Sequence, residues 1–508
     1  MNLKNKGFVQ ISQIVLFAAM LALYTAIGGM GMIYVAGSVE LFFVITYLFL
    51  GGIPDTMEYM IRIRRKRGYY KDAFGVVRAG ILYTFMAVVI AELCLFLVNK
   101  LVISRTELLY VDKLLYLSMF AVPFLGIMQV LRGILQAEFD KSLTGISKLV
   151  FVIFLVTGTV VSGMMLGEYG TKAAMLMQSV GLKHFYVTIG LIPGVVLGAL
   201  GAIIFLAVIW IIYRKKVTLF EFQPDTPKEH PGQQLWELCT SQFAEVMHIC
   251  LKHIPVMVLL WLSLGEIRGG NYLFGNFYGA VLPLFGIVWT VFDLGLIKRK
   301  KDLFLSYRRK MEEQYYKELK SVLSYVLLVS VGVAVFTLAL HKSYLAIWDL
   351  QNFVSFMKLM RFSALIGMLG LPYMVFLDVL KYRNMRSEAV VSVFAGAVAG
   401  VIGSIVCSNA SGAGMSMYVW GIFLQLFVTV ITAAWYVSRS VGIHYMSVIV
   451  RTGVPIVFIC ILGIALFGLQ QLIFTAMGGL GTLIICVAIA CVAGKIIMLV
   501  LNKSGIFF

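Results

Sequence analysis

Three stretches of the chain set polar side chains at the spacing i, i+3, i+7 inside otherwise apolar sequence. They are Asp55, Glu58 and Arg62; Gln129, Arg132 and Gln136; and Glu245, His248 and Lys252, with His253 alongside. On an α-helix this spacing returns each group to one face. The chemistry such faces offer is limited and recognisable. Carboxylates such as Asp55, Glu58, Glu245 and Asp378 can bind and release a proton or a small cation, a histidine titrates near neutrality, and lysine or arginine grips phosphate through charge-assisted hydrogen bonds. Lys148, Asp293 and Asp378 add single charges to further apolar runs. Plainer roles compete at each site. Glu58 and Arg62 are spaced as an ordinary i, i+4 ion pair, Arg132 lies where a long side chain can snorkel to an interface, and His248 can serve as a hydrogen-bonded cavity residue.

The elements that carry these faces must be membrane-spanning helices. Hydrophobic residues make up 61% of the 508-residue chain and charged residues 13%, against roughly 25% charged in soluble domains. Apolar runs of about 20 residues, enough to cross a bilayer, recur along the whole chain. They lack period-two alternation, and an isolated strand in lipid leaves its backbone unpaired, so helices are required. The sequence predicts an all-α polytopic membrane protein of about 14 transmembrane helices. Charge within such spans is costly and marks a functional site by default.

Most of the 42 lysines and arginines fall on one set of alternate loops, which predicts a cytoplasmic N-terminus and C-terminus in the cell membrane. The formal net charge of +18 is then a surface for anionic membrane lipids, not for nucleic acid. No cleavable signal peptide is expected, because the first span runs directly into the second. The seven cysteines form no CxxC pair and read as small packing residues. No Walker A, HExxH, GxSxG or dinucleotide-binding fingerprint is present, so no cofactor and no enzymatic activity are expected.

The chain also echoes itself. Tyr69-Tyr70-Lys71-Asp72 follows the basic run Arg62 to Arg67, and Tyr315-Tyr316-Lys317-Glu318 follows Arg308 to Lys310. Both fall in loops six spans apart, as do the segments 139–142 and 384–387. An even offset implies parallel repeats about an axis along the membrane normal. The expected organisation is an N-lobe of six helices (1–213), a linker (214–236) with prolines at 224, 227 and 231, a six-helix C-lobe (237–440), and two C-terminal helices (441–508), the lobes being related by a pseudo-two-fold. Between the second and third spans of the C-lobe, the stretch 298–320 interleaves aromatic and basic residues as an interfacial amphipathic helix does.

At 122–150 the sequence reads VPFLGIMQVLRGILQAEFDKSLTGISKLV. Its proline (Pro123), its LRGILQ segment from Leu131 to Gln136 and Ser147 entering the next span resemble the multidrug/oligosaccharidyl-lipid/polysaccharide (MOP) exporter superfamily. The likeness is to the branch of polysaccharide exporters, stage V sporulation protein B and the lipid II flippase. The segment GGIPDTMEYMIRIRRKRGYYKDAFGVV (51–77) is similar in pattern too. The resemblance implies a flippase that moves a polyprenyl-phosphate-linked saccharide across the cytoplasmic membrane by alternating access, for cell-surface polysaccharide or cell-wall assembly. Its partners would be the lipid-linked glycan, anionic lipids and glycan-synthesis machinery. The resemblance also implies a cavity lined by spans 1, 2, 7 and 8. A cation-coupled multidrug antiporter of the same superfamily is the alternative, and a membrane-embedded glycosyltransferase or polymerase a more distant one. The lipid II flippase carries arginines in its first span, whereas 11–35 here has no charge. The substrate cavity is therefore expected to use Arg132, Gln136, Lys148, Glu245, His248 and Lys252, and ion coupling Asp55, Glu58, Glu245 or Asp378.

Overall fold

The computed structural model describes residues 3–101, 103, 110–139, 142–213, 229–265, 270–350, 352–409 and 416–503. Every regular element among them is helical. The first half comprises α1 (Leu3–Val35), α2 (Leu41–Leu50), α3 (Ile53–Lys66), α4 (Tyr70–Leu101), α5 (Val111–Ser118), α6 (Val122–Glu138), α7 (Ser142–Met177), α8 (Val180–Ile189) and α9 (Leu191–Tyr213). The second comprises α10 (Pro231–Leu251), α11 (Ile254–Gly265), α12 (Gly270–Asn276), α13 (Leu282–Arg308), α14 (Glu312–Ala346), α15 (Val354–Tyr382), α16 (Arg386–Asn409), α17 (Ser416–Val441) and α18 (Tyr445–Lys503). Short π-helical turns, Ala36–Glu40 and Phe277–Val281, lead into α2 and α13.

Eleven continuous helical stretches among the described residues are long and apolar enough to cross a bilayer. Two of them, 6–66 and 445–496, would extend about 90 and 78 Å as straight helices, far beyond a hydrocarbon core of about 30 Å. Each contains a break. Gly28 has φ 64° and ψ −174°, and Gly478 has φ 68° and ψ −177°, a backbone region essentially closed to residues with a Cβ. Counting both stretches as two spans, and adding α10 with α11 as one bent span, gives fourteen. The first break falls at Gly28, inside the charge-free apolar run 11–35 expected to be the first span, at a conformation that favours glycine.

The helices form two compact units, residues 2–253 and 254–508. In the first, α3 is central. Met57, fully buried, lies against Gly80 of α4 and Gly133 of α6, so three helices meet with little side chain between them. The helix α10 packs on α2, α3 and α4 within this same unit. Gln242 donates to Leu48 O at 2.8 Å, and the Tyr83 hydroxyl donates to the Gln242 side-chain oxygen at 3.2 Å. The contacts therefore divide the chain after His253, inside the expected C-lobe (237–440) rather than in the linker 214–236. Most of that linker lies outside the described residues; its end is held by Arg64, which bonds Glu229 (2.6 Å) and Glu237 (2.6 Å).

The internal echo has a structural counterpart. After α3, Tyr69 N donates to Arg64 O (2.9 Å) and Gly68 N to Arg65 O (3.0 Å); 242 positions later, Met311 N donates to Ser306 O (3.0 Å) and Lys310 N to Tyr307 O (3.1 Å). These are the same left-handed helix-ending turn, with Gly68 at φ 80° and Lys310 at φ 56°. The Tyr-Tyr-Lys motif recurs at 246 rather than 242, since α14 begins before it. Four extra residues are about one helical turn, so the motif keeps its face. The stretch 298–320 forms no separate interfacial helix. It is divided between α13, which runs to Arg308, and α14, which starts at Glu312, because its apolar residues continue the 3.6-residue pattern of the two flanking helices.

Candidate functional site

In the first unit the polar faces of α3 and α6 meet. The Gln136 amide nitrogen donates to Asp55 Oδ1 (2.9 Å) and to Glu58 Oε2 (2.6 Å), while its carbonyl accepts from Thr144 Oγ1 of α7 (2.7 Å). Glu58 also pairs with Arg62 at 3.2 Å. That arginine reaches back across the interface to donate to Gln136 O (2.9 Å) and Phe139 O (2.8 Å), capping the end of α6. Pro54 in the first turn of α3 and Pro123 in the first turn of α6 start the two helices without losing an intrahelical bond. Glu58 and Gln136 are 3% and 1% exposed. Burying a carboxylate at that depth is costly unless it is hydrogen-bonded, and Gln136 and Arg62 supply the donors.

Arg132, one turn earlier on α6, is also buried. It donates through Nε to Ser147 Oγ (2.8 Å), and through its terminal nitrogens to Ser147 O (3.1 Å) and Gln129 Oε1 (3.4 Å). The planar fork holds α6 to α7 at the serine that follows the LRGILQ segment. Its reach is spent inside the unit, and the side chain does not extend to an interface. Lys148 is half-buried on α7.

The third sequence stripe is divided. His248 is 8% exposed on α10, Lys252 is exposed at the end of that helix, and the Glu245 side chain lies outside the described residues. A contact the sequence did not suggest completes this end: the His253 imidazole meets Glu40, which belongs to the π turn before α2. Glu40 is the sole acidic residue between Met1 and Pro54, and that isolation was the available signal.

The second unit holds a buried triad. Lys300 of α13, 1% exposed, contacts Asp293 two turns earlier on the same helix face and Asp378 Oδ2 of α15 at 2.6 Å. The triad occupies the position of the first unit's clasp. Glu58 and Gln136 are 78 residues apart, as are Lys300 and Asp378, and each pair lies 242 positions from the other. Both units thus carry one buried polar link between corresponding helices, with different chemistry. Asp378, expected as a coupling carboxylate, is engaged by Lys300, a residue of the stretch 298–320 expected to form an interfacial amphipathic helix.

Also within the second unit lies an apolar groove of about 740 Å³, formed by α13, α14, Met360 of α15 and both halves of α18. It extends on α14 from Tyr325 to Tyr344, nineteen residues or about 28 Å. The register of its walls is fixed by contacts. Gln470 meets Ser343 at 2.7 Å, Gly463 abuts Val335, and Gly479 abuts Ala346. Hence the first half of α18 runs alongside α14 in the same direction and the second half returns.

Solved structures share this architecture. The lipid II flippase MurJ in an inward closed conformation superposes with a TM-score of 0.60 at 12% identity, covering 97% of this chain and 100% of its own. The eukaryotic MATE transporter AtDTX14 gives 0.59 at 11% identity, covering 89% and 98%. An inward-facing multidrug resistance MATE family transporter of the MOP superfamily gives 0.57 at 14% identity, covering 87% and 94%. The fold is that of the MOP superfamily transporters. No protein-family model matches the chain, and no curated protein matches it by sequence. This multi-pass MOP fold agrees with the architecture expected from 122–150 and from the count of spans.

Proposed function

We propose that the protein is a flippase that translocates a polyprenyl-phosphate-linked saccharide across the cytoplasmic membrane by alternating access, with both termini cytoplasmic. The observation that carries this reading is the groove on α14. A space about 28 Å long lined by Leu284, Val288, Leu328, Phe336, Leu462 and Leu483 matches a hydrocarbon chain that runs through most of the bilayer thickness. A compact drug needs no such length. The two helical halves of α18 build one wall.

The saccharide headgroup would travel outside this groove, met by cations such as Lys252 and Lys148. Arg132, committed to Ser147 and Gln129, is better placed to fix α6 on α7. Asp55, Glu58, Glu245 and Asp378 are the carboxylates through which a proton or cation would couple, and glycan-synthesis enzymes would supply the substrate. The test is outer-leaflet accumulation of lipid-linked glycan in proteoliposomes or in cells depleted of the protein. Transport that is lost on depletion and restored by the wild-type chain supports the reading. Normal glycan translocation together with lost efflux of cationic drugs would overturn it in favour of the antiporter.

A further inference from the structure

The helix α15 is open along one side only near its start. Val354, Lys358, Arg361, Phe362 and Leu365 are exposed there, at spacings that place them on one stripe, and no residue from 366 to 382 is exposed. The stripe is about 17 Å long, close to half of the roughly 30 Å hydrocarbon core. Its two cations have no acidic partner among the described residues, and Asp349, the nearest acidic residue along the chain, pairs with neither. Arg361 instead donates through Nε to Nε2 of His341 on α14 at 2.8 Å. His341 is 3% exposed. An arginine nitrogen can only donate, so Nε2 carries no proton, and the Nδ1–H of this neutral imidazole donates to Leu338 O at 2.8 Å. The histidine thus fixes the guanidinium from its Nε side and leaves both terminal nitrogens without a hydrogen bond among the described residues. Lys342, beside His341, is turned onto the Phe474 ring at 4.6 Å. An arginine within a span is costly and marks a site. Snorkelling accounts for a cation near a helix end, but not for the bond that ties this one to a buried histidine.

We propose that this stripe binds an anionic phospholipid of one leaflet, with its phosphate on Arg361 and Lys358 and an acyl chain along Phe362 and Leu365. Charge selects an anion, and the planar pair of terminal N–H groups suits a phosphate. The surroundings select a lipid over a soluble ion. Val354 is 66% exposed, Phe362 52% and Leu338 of α14 48%, so the cations sit among side chains that meet hydrocarbon. The length selects a lipid of one leaflet, because the exposed face of α15 ends at Leu365. The site is distinct from the basic loops. The helix α14 carries the chain about 50 Å away from the turn at Arg308 to Lys310, which places Arg361 toward the opposite leaflet. His341 acts as a positioning residue, since it orients Arg361 and is itself buried.

The experiment places the full chain in phosphatidylcholine nanodiscs with a trace of phosphatidylglycerol that bears a diazirine on one acyl chain. Photocrosslinked adducts are then located by peptide mass spectrometry, with a diazirine phosphatidylcholine as the zwitterionic control. Phosphatidylglycerol is expected to label 354–365 and Leu338 in preference to the control probe, and unlabelled phosphatidylglycerol should compete. The double variant Lys358→Gln, Arg361→Gln should lower this labelling by about tenfold, the loss of at least one charge-assisted bond. Adducts elsewhere on the chain should stay unchanged, which shows that the variant is folded. His341→Leu keeps both cations but should bring the two probes toward equal labelling. His341→Gln, whose amide oxygen can accept from Arg361 Nε, should retain the preference. Equal labelling by both probes in the wild type, or unchanged labelling in the double variant, overturns the site. Inorganic phosphate that competes as well as phosphatidylglycerol overturns the assignment to a lipid. An undiminished preference in His341→Leu overturns the positioning role.

Discussion

Replacing Gln136 by leucine tests whether the clasp between α3 and α6 holds the first unit together. The amide makes three side-chain hydrogen bonds, two of them to carboxylates. A hydrogen bond to a charged group is worth about 1.5–3 kcal/mol and a neutral one about 1 kcal/mol. Glu58 retains Arg62, so part of its stabilisation survives, and bonds sharing one residue are not additive. The expected loss is therefore about 3–5 kcal/mol, well beyond the usual effect of an isosteric change. Gln136→Glu should be at least as damaging, because a third carboxylate about 3 Å from two others is opposed by several kcal/mol even at an effective dielectric constant of 20. SDS-unfolding titrations in mixed micelles, with protein amounts matched by fluorescence size-exclusion chromatography, measure both. A Gln136→Leu protein within about 0.5 kcal/mol of wild type, where neutral substitutions fall, would falsify the clasp as a stabilising element.

Lys300→Met should cost about 3–5 kcal/mol in the same assay, since it removes the ammonium from a buried ion cluster, and adding Asp378→Asn should recover part of that loss. Gly28→Ala should destabilise by about 1–3 kcal/mol through backbone strain alone, as a Cβ there meets nothing within 4 Å; an unchanged unfolding midpoint would contradict the break. Arg132→Lys should destabilise by about 1–3 kcal/mol because an ammonium cannot reproduce the fork on Ser147, and a change confined to transport, with stability intact, would return Arg132 to the substrate path. Lys252→Ala, at an exposed helix end, should leave stability within about 0.5 kcal/mol and reduce glycan translocation if the headgroup meets it.

The sequence by itself determined the membrane-spanning class, the number of spans and the doubling of the chain. All three follow from local properties: hydropathy over about 20 residues, the need to pair every backbone group in lipid, and turn residues that recur at a near-constant offset. It also marked the right faces of α3 and α6, because a polar stripe at i, i+3, i+7 is visible wherever the rest of a helix is apolar. Tertiary structure decided what those stripes do. Arg132 looked free to bind an anion until α7 brought Ser147 to it, and no spacing along α6 encodes that approach. Lys300 sat in a run of four basic residues and read as part of an interfacial amphipathic helix; only the packing of α15 buries it against Asp378. The helix α10 looked like the start of the second lobe by span count, yet Gln242, Glu237 and His253 bond to α2, α3, α4 and the π turn at Glu40. Partners in contact across 78 or 194 residues are set by which helices lie side by side. A hydropathy pattern records how each helix meets lipid, and it does not record which neighbour covers the remaining face.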